Sequence, residues 1–153
     1  MVLDEAGRRA PGFPHGDGGG AMTTVESTAP AVRTPFVLLL RVLAVLTMAA
    51  MLWQPTVAGL FTTGRVSYLT LHDIGAGVAA LLVALDVVAA VLLRWPGRGS
   101  AALIPHAVAM LVLVGAQMAL GFTHLLAVHL PLGVLLFGMA LGFTARAFAR
   151  RKP

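Results

Sequence analysis

Four long apolar runs, separated by short polar breaks, follow a mostly polar N-terminal stretch. The runs are residues 36–53, 69–93, 102–122 and 125–148. A helix needs about 20 consecutive apolar residues to cross the hydrocarbon core of a bilayer. Each run is near or above that length, so the pattern predicts four membrane-spanning helices. Pro105 and Pro131 fall near the starts of the third and fourth runs, where a missing N–H costs little. The connections are residues 54–68, 94–101 and 123–124. Links this short make consecutive helices antiparallel, and the predicted fold is all-α, an integral-membrane up-down-up-down four-helix bundle.

Residues 1–34 carry a GDGGG run and scattered prolines, with little that can form a core. They are expected to be a disordered tail, with Met22 as a second candidate start and His15 without a role. The helical domain is placed at residues 35–148, and residues 149–153 form a short basic tail. A cleaved signal peptide is the rival reading of 36–53. That run is longer than a usual signal core, and no clear small-x-small cleavage site follows it.

Composition agrees with the pattern. The chain is 58% hydrophobic and 11% charged, against about 25% charged residues in soluble domains. It has no cysteine, which excludes disulfides, thiolate ligands, Cys-bound iron–sulfur clusters and thiol catalysis. The net charge of +5 does not point to nucleic acid. Arg94, Arg98, Arg146, Arg150, Arg151 and Lys152 flank apolar runs, whereas the opposite loops hold only Arg65. The positive-inside rule then predicts both termini in the cytoplasm, in a multi-pass protein of the plasma membrane.

His72 and His129 stand out against this background. Each lies three or four residues inside a predicted span, on the second and fourth helices, which enter from the same side. That puts both imidazoles roughly 5–6 Å below their helix starts, on helices diagonal in an up-down bundle. An ionisable group inside a span is costly and counts as a functional candidate. Two at matched depth can grip a flat macrocycle from both sides, as axial ligands of a haem. Gly75 and Ala76 share the face of His72, and Gly133 that of His129. Small residues there leave room for a porphyrin edge, or equally for close helix packing. The alternative for the histidines is interhelical hydrogen bonding. Gln117, in the same half of the third helix, is a candidate partner for a ligand histidine or a propionate, or for a plain interhelical bond.

A second polar layer lies toward the other end. Arg41, Asp86 and His106 fall at comparable depth. An Arg41–Asp86 ion pair is the simplest way to hold both charges in a span; His106 joins it, binds a second haem or passes protons. Asp73 is expected to meet Arg65. His124 is about 140° from His129 around the helix, so a three-histidine metal site with His72 needs a distorted turn.

The stretch QMALGFTHLLAVHLPLGVLLFGMALGFTAR (117–146) resembles the second helix pair of a haem A synthase half-bundle. The matching positions are Gln117, Leu120, Gly121 and His129, and TLHDIGAG around His72 resembles the second-helix ligand motif of that family. The resemblance covers residues 36–148 and implies haem held by His72 and His129. Loop 54–68 (QPTVAGLFTTGRVSY) has no Cys, Asp or Glu, where the catalytic half of a haem A synthase carries an acid and often a cysteine pair. Synthase activity is therefore not expected; the QPTVAG stretch also resembles small uncharacterised bacterial four-helix membrane proteins.

The leading expectation is a bis-histidine, haem b-binding membrane protein for electron transfer or haem handling. Its partners would be the lipid bilayer, a redox partner or quinone, and a second copy in a homo-oligomer. The alternatives are a cofactor-free accessory membrane protein, and a small transporter or proton path through Asp86 and His106.

Overall fold

The computed structural model describes residues 32–149. The expectations for residues 1–31, which include His15 and Met22, and for Arg150, Arg151 and Lys152 lie outside the described residues.

The described chain is all-helical, with α1 Thr34–Thr62, α2 Ser67–Arg94, α3 Ile104–Phe122 and α4 Leu126–Phe148. All four are long and apolar enough to cross a membrane, as befits a multi-pass membrane protein. They form a ring in which each helix packs on its two neighbours, and neither α1 with α3 nor α2 with α4 has backbone contacts. This is the up-down-up-down bundle. Its interior is built from Leu40, Ala44, Met51, Ala79, Val83, Ala107, Met110, Leu136 and Phe143. Other apolar side chains, such as Leu38, Val112 and Val134, point outward. Alanines among the larger interior side chains let the helices approach closely, while apolar outer faces meet lipid.

α1 runs well past the expected 36–53. Gln54 and Pro55 look like a helix end, yet the helix continues through them to Thr62. Pro55 removes one backbone donor, and the Thr56 hydroxyl donates to Leu52 O at 3.0 Å in the same turn. α1 stops where Gly64 takes φ 92°, a left-handed conformation that glycine adopts without penalty. Most of the expected 54–68 loop is therefore helix, and Gln54 lies inside the bundle.

The two hairpins repeat one another. The buried residues Leu40, Ala44, Thr47 and Met51 of α1 recur at one constant shift as the buried Leu103, Ala107, Met110 and Val114 at the start and along the length of α3. Ala79, Val83, Asp86 and Ala90 of α2 recur in the same way as Leu136, Ala140, Phe143 and Ala147 of α4. The bundle is thus a pseudo-twofold pair of hairpins, α1–α2 and α3–α4, with the same inward positions in both.

Candidate functional site

The repeat brings two sets of equivalent residues to one end of the bundle. Gln54 corresponds to Gln117, and His72 to His129. The imidazoles of His72 and His129 come together across the diagonal, with 6.3 Å between ring centroids and 59° between planes. Each ring is held from behind in the same way. His72 Nδ1 lies 3.3 Å from the backbone carbonyl of Gln54, and His129 Nδ1 lies 3.0 Å from that of Gln117. A carbonyl oxygen only accepts, so Nδ1 carries a hydrogen in both rings, and in the neutral imidazole Nε2 then bears the lone pair. Fixing the tautomer through a carbonyl is how metal-binding histidines are commonly oriented.

Both rings line one cavity of about 280 Å³, at the small end of ligand cavities. Its other walls are almost wholly apolar and include Met51, Ala76, Ala79, Val114, Met118 and Phe137. Its most exposed lining residues, Leu52, Leu130 and Val134, all belong to α1 and α4. The mouth therefore lies between those two helices, on the outer face of the bundle.

The glycines do not act alike. Gly133 lines the cavity and sits against the Gln117 amide, where a Cβ would come 3.1 Å from Nε2. Gly75 does not line it. A Cβ there would collide with the Gln54 amide, and Ala76 forms that part of the wall, being the repeat equivalent of Gly133. Gly121 makes room for the His129 ring, which a Cβ would approach to 3.2 Å.

Gln117 meets its histidine through the backbone rather than the expected side chain. Its Oε1 is buried without a partner among the described residues, as are Oε1 and Nε2 of Gln54. Buried polar atoms are nearly always paired, so three orphans beside one cavity point to a ligand or water that supplies the partners. Gln54 was not anticipated from sequence; the signal available was its repetition as Gln117, each followed by a histidine on the next helix.

The second polar layer differs from expectation. The Arg41–Asp86 ion pair is not formed. Arg41 Nε donates to Ala147 O at 3.0 Å, and Asp86 accepts from the Thr47 hydroxyl at 2.6 Å. Arg41 and Asp86 match in depth, but Arg41 lies about 120° around α1 from Thr47 and faces α4 instead of α2. His106 Nε2 bonds Met139 O at 3.0 Å, and its Nδ1 lies 3.3 Å from Arg146 Nη1. No hydrogen bond among the described residues joins it to Asp86. Arg65 meets Tyr68 OH at 3.4 Å rather than Asp73. His124 is exposed in the α3–α4 turn, and no group of three His, Asp or Glu side chains forms a metal site among the described residues.

Two imidazoles can hold one metal ion between them when their centroids are separated by two metal–nitrogen bonds of about 2.0–2.1 Å plus the inner half of each ring. The 6.3 Å between the two centroids is of that size. Comparison with known protein families, curated proteins and solved structures gives no match.

Proposed function

We propose that the chain is a bis-histidine, b-type haem-binding membrane protein that carries electrons or holds haem. The observation that carries this reading is the close approach of the His72 and His129 rings, each with Nδ1 tied to a backbone carbonyl, which leaves Nε2 as the nitrogen free to bind a metal. When bound, haem supplies a one-electron couple whose potential depends on axial ligands, hydrogen bonding and burial. The chain's own contribution is to orient the rings, to give the macrocycle apolar walls and to keep water away from it. Gln54 and Gln117 add amide groups that can bond polar groups at the ligand's edge. The slot between α1 and α4 gives a planar ligand larger than the cavity somewhere to extend. The same reading places the histidine end outside the plasma membrane and both termini in the cytoplasm, because the basic residues gather at the other end. A redox partner, a quinone or a second copy of the chain would act at the histidine end.

A second reading treats the histidines as interhelical clips in a cofactor-free accessory protein. It is favoured by the same two carbonyl bonds, which join α2 to α1 and α4 to α3. An absorption spectrum separates the two. Protein extracted from haem-replete cells should show a Soret band, with a sharp α-band on reduction, and a colourless but folded preparation overturns the haem reading. Full haem retention in His129→Ala would remove that residue as a ligand.

A further inference from the structure

At the end of the bundle opposite the histidines, Arg41 and Arg146 line a cleft of about 650 Å³. Arg41 lies in the second turn of a membrane-spanning helix, where an unpaired charge is costly. The described residues include only two acids. Asp73 is at the other end, and Asp86 is fully buried and bonded to Thr47. No carboxylate among the described residues therefore pairs with Arg41. Its guanidinium is nevertheless held in place. Nε donates to Ala147 O, and the group lies 5.0 Å from the centre of the Phe148 ring. Apart from Ser100, the rest of the cleft wall is apolar, with Val37, Leu40, Leu103 and Ala147.

The repeat supplies an independent observation. The seam between α1 and α4 is equivalent to the seam between α3 and α2. In that second seam the positions of Arg41 and Arg146 are held by Ile104 and Ala89. At these two positions one seam carries arginines and the other apolar residues.

We propose that this cleft binds the phosphate headgroup of an anionic phospholipid between Arg41 and Arg146. A guanidinium is a flat fork matched to phosphate oxygens, and two of them can share one phosphate. α1 spans roughly 43 Å at 1.5 Å per residue, more than the hydrocarbon core of about 30 Å. Its first turns therefore reach headgroup depth, and the apolar wall faces the glycerol and upper acyl chains. Basic pockets between spans are a common form of headgroup site.

The test is native mass spectrometry of the full chain in detergent, offered phosphatidylglycerol and phosphatidylcholine in equal amounts. Wild type retains phosphatidylglycerol in preference. Arg146→Gln, and Arg41→Gln with Arg146→Gln, each lower its apparent affinity about tenfold or more, while Arg94→Gln and Arg98→Gln stay within about twofold. Arg146 is exposed, so its single variant carries the test even if replacing Arg41 prevents folding. Equal retention of the two lipids, or unchanged retention in Arg146→Gln, overturns the proposal. Displacement of the lipid by millimolar inorganic phosphate also overturns it, by assigning the site to a soluble anion. The histidine site takes no part in this experiment.

Discussion

His72 and His129 meet at 6.3 Å between ring centroids although the helices that carry them share no backbone contact. Only side chains reaching across the middle of the ring can bring α2 and α4 together. Small residues, Ala76 and Gly133, sit one turn along from each histidine and leave the space around the rings open.

If both imidazoles are axial ligands, changing one of them changes the potential rather than only the occupancy. A Met/His pair holds haem at a higher potential than a purely histidine pair. His129→Met should therefore keep haem and raise the midpoint potential, read from a redox titration of the α-band. His106→Met, at the far end of the bundle, should leave it unchanged. An unchanged midpoint in His129→Met removes that residue from the iron.

The glycines beside the site have separable roles. A methyl group at Gly75 has nowhere to go while the Gln54 amide keeps its place. Gly75→Ala should therefore displace that amide and weaken ligand retention. At Gly77, two residues on, a Cβ meets nothing. Gly77→Ala should leave the site intact and stabilise α2 by up to about 1 kcal/mol, since glycine costs roughly that in a helix interior. Thermal unfolding and absorbance measured on the two variants check both outcomes, and equal behaviour of the pair rules out a notch specific to Gly75.

The number of helices, their order and the diagonal placement of His72 and His129 were legible in the sequence because each rests on one strong signal. Apolar run length gave the spans, and short links gave the ring. Three features were not legible. Gln54 precedes a proline, which reads as a helix end, and only the surrounding bundle lets α1 continue to Thr62. Arg41 and Asp86 match in depth, but depth along a span carries no information about which neighbour a side chain faces. The repeat is hidden because Thr47 and Asp86 stand where the other hairpin has Met110 and Phe143, so polarity differs at positions whose burial is the same.

His124 tests the separation between the turn and the site. Its φ of 57° places it in the left-handed region, which costs most L-residues about 1–2 kcal/mol and glycine nothing. His124→Gly should raise thermal stability modestly and leave the absorption spectrum of the protein unaltered. A spectral change would return His124 to the ligand set, from which its exposed position in the turn excludes it.

Thr47 and Asp86 are the polar residues among the fully buried ones described, exposed by only 1% and 0%. The Thr47 hydroxyl supports Asp86 Oδ2 at 2.6 Å, and Oδ1 has no partner among the described residues. Removing the hydroxyl leaves both carboxyl oxygens unsupported, which costs about 1–3 kcal/mol for a buried acceptor. Thr47→Val should therefore destabilise the bundle by about that amount. Replacing both partners by apolar groups removes the unsupported acceptor along with its donor. Thr47→Val with Asp86→Leu should then cost less than the sum of the two single changes, with a coupling of about 0.5–3 kcal/mol. Unfolding in detergent, followed by circular dichroism on the four proteins of the cycle, measures that coupling. Simple additivity would mean that the two side chains do not support each other in the folded protein. A double variant that is also inactive in haem retention would tie this layer to the histidine site; retention at the wild-type level would leave it a purely structural pair that distinguishes one hairpin from the other.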